Sequence, residues 1–156
     1  MLDIKSINNK LKDALPKANI MALPRLEKIV MNVGIGRMKD DKGYVEEVSK
    51  TLVAISGQKP VTTKAKKAIA GFKSRTGDTV GIMVTLRGKR MLCFVERLAN
   101  IALPRIRDFK GLPEKKFDRQ GNYTYSVREQ MIFPEVPYDK VAHIHGMQIT
   151  FKIKNS

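Results

Sequence analysis

Hydrophobic positions recur along this chain with two periods, and the switches between them divide it into elements. Ile4, Ile7, Leu11 and Leu15 fall at helical spacing, so an amphipathic helix opens the chain. Pro16 ends it, because a helical proline removes a donor and clashes with the preceding turn. Leu26 to Val33 (L-E-K-I-V-M-N-V) follows Pro24 and is rich in β-formers, which predicts a strand. Gly34, Gly36, Asp40, Asp41 and Gly43 then form a loop. Tyr44 to Ser56 is expected to be helical, with Val45, Val48, Leu52 and Ile55 on one side, and Gly57 terminates it.

Lys59 to Thr63 is expected to be a short extended piece. Lys64 to Ala70 stays open between states: alanine and lysine favour helix, yet Gly71 cuts it short. Thr79 to Leu86 alternates, with Val80, Ile82, Val84 and Leu86 against Thr79, Gly81, Met83 and Thr85, the signature of a half-buried strand. Gly88 to Leu103 is the clearest helix, with Met91, Leu92, Val95, Leu98, Ile101 and Ala102 as a broad apolar face. Arg105 to Gly121 has no sustained period and is expected to be a long loop. Tyr123 to Val127 forms a strand. Phe133-Pro134-Glu135-Val136-Pro137 cannot continue a central one, since each proline lacks an N–H. Met147 to Lys154 alternates again, Met147, Ile149, Phe151 and Ile153 against Gln148, Thr150, Lys152 and Lys154.

This succession predicts an α+β fold of two layers: a mostly antiparallel sheet with helices on one face and an open, polar, basic face on the other. With 156 residues, 42% of them hydrophobic, one domain spanning 1–156 is expected.

Charge sharpens the picture. Lys and Arg number 30 against 15 acids, a net charge of +15. Between Ser49 and Val95 there are ten cations (Lys50, Lys59, Lys64, Lys66, Lys67, Lys73, Arg75, Arg87, Lys89, Arg90) and a single acid, Asp78. Such a block repels itself unless an anionic partner neutralises it, and nucleic-acid phosphates are the commonest such partner. An open polar sheet face beside it suits RNA, which is read by shape, 2′-hydroxyls and stacking. Phe72, set among the lysines, fits either the core or stacking on a base.

Other chemistries find less support. Gly34-Ile35-Gly36 follows a strand, but Lys39 stands where a dinucleotide fingerprint needs Gly or Ala. His143 and His145 lack neighbouring Cys, Asp or Glu ligands in sequence, and a surface or RNA-facing role is expected of them rather than a metal site. Cys93, within M-L-C-F-V, is expected to be a buried small hydrophobe. The acid pairs Glu46-Glu47 and Asp40-Asp41 are expected to be solvated. No enzyme, cofactor, metal, small-molecule substrate or membrane partner is expected. One cysteine excludes an internal disulfide, and no apolar run is long enough to span a bilayer.

Several long segments match one family in order: P-R-L-E-K-I-V-M-N-V-G-I-G (24–36), L-V-A-I-S-G-Q-K-P-V-T-T-K-A-K-K-A-I-A-G-F-K-S-R (52–75), V-T-L-R-G-K-R-M (84–91), L-P-R-I-R-D-F-K-G-L (103–112), F-D-R-Q-G-N-Y-T-Y-S-V-R-E-Q-M-I-F-P-E (117–135) and Y-D-K-V (138–141). On these the chain resembles the bacterial-type large-subunit ribosomal protein L5 family, which binds 5S rRNA. The resemblance implies a non-enzymatic constituent of the large subunit's central protuberance, on a cytoplasmic or organellar ribosome, with 5S rRNA and large-subunit rRNA as partners. It implies Asn32, Gln58, Phe72 and Thr85 as the main 5S contacts, supported by Lys59, Thr62, Thr63, Lys64 and Lys67. The Gly71–Asp78 loop would reach P-site tRNA through Lys73 and Arg75. The Arg107–Asn122 loop and the segment through Glu135 would meet a small-subunit protein across the subunit bridge. The family continues past the last strand into a C-terminal helix and a basic, aromatic tail, where this sequence ends at Ser156.

Overall fold

The computed structural model of the chain describes residues 4–15, 19–36, 38, 41–72, 74–107, 109–113, 116–138 and 141–155. Five strands, β1 (Arg25–Gly34), β2 (Val61–Lys64), β3 (Thr79–Leu86), β4 (Tyr123–Val127) and β5 (Met147–Lys154), form one sheet of order β2-β3-β1-β5-β4. Every pairing is antiparallel. The helices are α1 (Ile4–Ala14), α2 (Lys42–Ser56) and α3 (Gly88–Arg97). Pro16, expected to stop α1, lies outside the described residues, as do Lys39 and Asp40.

The alternation read from the sequence decides which side of the sheet is buried. Ile29, Met31 and Val33 of β1, Ile82, Val84 and Leu86 of β3, and Met147 and Ile149 of β5 are all 3% exposed or less. They pack against Tyr44, Val48, Leu52 and Ile55 of α2 and Met91 and Phe94 of α3. β1 sits at the centre because both its neighbours extend the same apolar row, Leu86–Ile29–Phe151 and Val84–Met31–Ile149.

The ends of α2 follow from local chemistry. The Asp41 carboxylate accepts the Gly43 and Tyr44 N–H groups at 2.9 and 3.2 Å, satisfying donors the first turn leaves unpaired. Gly57 closes the helix at φ 65°, and its N–H donates to the Val53 carbonyl at 2.8 Å.

Four sequence expectations change on folding. The long helix loosens after Arg97 into a π turn, Leu98–Ala102, and then a 3₁₀ turn ahead of Pro104. The wider turn rotates the apolar stripe, so Ala102 and Leu103 are buried while Ile101 is 42% exposed. Phe94, absent from the predicted stripe, is buried and stacked on Phe133 at 6.1 Å. Cys93 is exposed rather than buried, because Met91 and Phe94 take the inward positions on either side of it.

The histidines are corrected as well. Expected to have a surface or RNA-facing role, both are engaged within the fold. His145 is 5% exposed, and burial pushes its pKa down. His143 donates its ring Nδ1–H to Glu47 at 3.0 Å, and Glu47 also accepts the Ala142 and His143 N–H groups. Burial raises the Glu47 pKa, but these hydrogen bonds outweigh it and hold the carboxyl below its ordinary value. Glu47 is therefore a structural clamp between α2 and residues 142–143, not a solvated acid. Among the described residues no three His, Cys, Asp or Glu side chains gather as a metal site, and no helix is long and apolar enough to cross a membrane.

Candidate nucleic-acid interface

The face opposite α2 and α3 carries the second half of each alternation. At the level of Asn32 the register runs Val61, Met83, Asn32, Gln148, Ser126 across all five strands. One step along, it runs Thr85, Val30, Thr150, Thr124, with the Thr124 and Thr150 hydroxyls 3.3 Å apart. All of these side chains are half-buried or exposed.

Asn32, Thr63 and Thr85 lie on this side, and Gln58 is tied to it. The Gln58 amide donates from Nε2 to the Thr85 carbonyl at 3.2 Å, while Ser56 Oγ accepts the Gln58 N–H at 3.1 Å. The turn after α2 is thereby fastened to β3. Thr63 pairs with Gly81, and a β-bulge brings Lys64 opposite Thr79 on the same side. Thr62 departs from the group: it pairs with Ile82 and belongs to the opposite row, exposed only because β2 is the edge strand. Lys59 and Lys67 are exposed beyond the two ends of β2.

Gly81 makes the arrangement possible. A Cβ there would lie 2.8 Å from Thr63 Oγ1, 3.2 Å from the Val33 carbonyl and 3.4 Å from Asn32 Oδ1. Its missing side chain is the space into which Asn32 and Thr63 lean from the two flanking strands. Gly34, paired directly with Gly81, would meet nothing within 4 Å.

The segment between β2 and β3 is neither helix nor open coil. Ala65 N–H donates to the Asp78 carbonyl at 2.8 Å and Gly77 N–H to the Ala65 carbonyl at 2.9 Å. Ile69 and Ser74 form an isolated antiparallel bridge below a 3₁₀ tip, Ala70–Phe72. The Asp78 carboxylate accepts the Arg75 N–H at 2.9 Å, so the lone acid of the cationic block holds the arm's backbone. Arg75 is exposed near the tip. Lys73 and the Phe72 side chain lie outside the described residues.

Comparison with known proteins places almost the whole chain in one family. Residues 19–75 match the family model "Ribosomal protein L5", and residues 79–156 match the model of the C-terminus of the same ribosomal family. β1 and β2 come from the first segment and β3, β4 and β5 from the second, yet all pair in one sheet. The chain is 54% identical over 133 residues to the large ribosomal subunit protein uL5 of Desulforamulus reducens, covering 85% of this chain and 74% of the relative. It is 55% identical over 146 residues to that of an Anaeromyxobacter species, covering 94% and 81%. Against the Natranaerobius thermophilus protein the identity is 50% over 143 residues, covering 92% and 80%.

The class these findings define is a structural, rRNA-binding protein of the ribosome, not an enzyme. The chain belongs to the ribosomal protein L5 family and is a structural constituent of the large ribosomal subunit.

Proposed function

We propose that the chain binds 5S rRNA on the sheet face bearing Asn32, Thr63 and Thr85 and attaches it to large-subunit rRNA in the central protuberance. Residues 1–156 act as one domain on the cytoplasmic ribosome. Gln58, Lys59, Lys64 and Lys67 flank the contact and Phe72 adds a stacking surface. Lys73 and Arg75 on the β2–β3 arm reach P-site tRNA, and a small-subunit protein is met across the subunit bridge. The observation that carries this reading is that Asn32, Thr63, Lys64 and Thr85, scattered in sequence, share the side of the sheet opposite α2 and α3, with Gln58 bonded to the Thr85 carbonyl beside them.

Two titrations test it. Lys64→Ala with Lys67→Ala weakens 5S rRNA binding and lowers the slope of log affinity against log salt by about one per lost phosphate contact. Filter binding across a salt series reads this directly, and an unchanged slope counts against the reading. Duplex DNA of similar length, added as competitor, is expected to displace little of the bound RNA.

Gly81→Ala is expected to lower 5S affinity about two- to tenfold, the value of one hydrogen bond lost or misplaced. Gly34→Ala, a methyl added with no neighbour to displace, is expected to change affinity by less than about twofold. Equal losses from the two variants would mean that Asn32 and Thr63 are not held through Gly81.

A further inference from the structure

The same sheet face carries a second cationic site at its other end. β1 and β5 oppose Arg25 to Lys154 and Lys28 to Lys152 in register, on the side of Asn32 and Gln148. Like charges placed directly opposite each other across a sheet destabilise it, and here two such pairs stand next to one another. Arg25, Lys152 and Lys154 are exposed and Lys28 is half-buried. The five strands contain one acidic residue, Glu27. It sits in the β1 bulge and reaches Arg87 at 3.9 Å, and no ion pair joins it to any of the four cations among the described residues. Among the described residues no ion pair offsets these like charges, a repulsion that an anionic ligand would relieve.

We propose that Arg25, Lys28, Lys152 and Lys154 form a phosphate-binding quartet that grips the backbone of a ribosomal RNA. Charge and continuity select this occupant. Lys28 lies four residues along β1 from Asn32, about 13 Å at the rise of a strand, on the same side of the sheet. An RNA laid over Asn32 and Gln148 passes over the quartet without leaving the sheet. The side chains supply charge and reach but few base-specific groups, so they position the strand rather than read it. The inference rests on RNA binding by this face and not on the particular contacts assigned to Asn32, Gln58 and Thr85.

The decisive experiment pairs two readouts on the full chain. Salt-series titrations use transcribed 5S rRNA in one arm and deproteinised large-subunit rRNA in the other, with urea denaturation of the free protein alongside. Lys28→Ala with Lys152→Ala, and Arg25→Ala with Lys154→Ala, are each expected to lower the salt slope by about one and a half to two for at least one RNA. Lys10→Ala with Lys12→Ala, an equal charge change on exposed α1 positions, is expected to leave the slope within about 0.5. Lys152→Glu is expected to weaken RNA binding while raising the urea midpoint at low salt, because it turns a repulsive pair into an attractive one. Slopes matching the α1 control with both RNAs overturn the proposal, as does a Lys152→Glu protein that is less stable than the parent. So does displacement of polyglutamate, but not RNA, by the quartet substitutions, which would mark an acidic protein as the ligand. If the parent chain binds large-subunit rRNA but not 5S rRNA, the 5S reading falls while the quartet is still judged on the other arm.

Discussion

Phe94→Ala is expected to lower the unfolding free energy by about 3–5 kcal/mol, the usual cost of emptying a buried aromatic site. Phe94 is 1% exposed and stacks at 6.1 Å and 27° on Phe133, itself 2% exposed. It is the point where α3 meets the segment that carries the chain from β4 to β5. Arg97, one turn on, donates to the Glu135 carboxylate and, from Nη2, to the Ile55 carbonyl at 3.0 Å. The cavity therefore opens between groups held in place by polar contacts, and collapse around it is restricted. Against a typical total of about 5–15 kcal/mol, the loss is large enough to appear as a clear fall in urea midpoint. A change below about 1 kcal/mol would mean that Phe133 repacks into the space and that the stack carries little.

Gln130→Leu is expected to cost about 2–4 kcal/mol, although it exchanges a polar side chain for an apolar one of similar size in the interior. Gln130 is 0% exposed. Its Oε1 accepts the His145 N–H at 2.7 Å, its Nε2 donates to the His143 carbonyl at 2.8 Å, and its own N–H donates to the His145 carbonyl at 3.2 Å. Leucine keeps only the last of these and leaves a buried donor and a carbonyl unpaired. Next to them, a Cβ on Gly146 would stand 2.8 Å from the Val127 carbonyl, so the segment has no room to shift toward new partners. Amide exchange localises the effect: protection at His145 is expected to fall more than at Met31 in the sheet centre. Equal loss at both sites would indicate a global rather than a local role for the clamp.

The two substitutions touch residues that the sequence presents very differently. Phe94 is apolar and sits in a helical segment, so a core role is legible even though the predicted stripe passed it by. Gln130 gives no such signal, since a polar residue before Phe133-Pro134 reads as loop. Only its partners, thirteen and fifteen residues away, explain why it is buried.

The residues proposed to face RNA divide in a similar way. Thr85 and Lys152 fall on the polar side of clean alternations, and the prediction of their strands matches β3 and β5 residue for residue. Thr62 and Thr63 are adjacent and chemically alike, but a single register step sends them to opposite rows. The bonding of Asp78 to Arg75, the bridge at Ile69 and Ser74, and the pairing of Arg25 and Lys28 with Lys154 and Lys152 carry no local signature at all.

The sequence by itself determined what is local: strand alternation of period two, the Gly57 end of α2, the all-round excess of cations, and the family its long motifs resemble; the Asp41 cap, expected to be only a solvated acid, emerged with the fold. The local features depend on contacts within a few residues or on composition, where backbone geometry leaves little choice. The tertiary structure decided the strand order β2-β3-β1-β5-β4, the π turn that hides Ala102 and exposes Ile101, the burial of His145, and which cations face each other across β1 and β5. Those outcomes rest on pairings between residues up to about 130 positions apart, and a chain selects among such pairings only by packing its whole core at once.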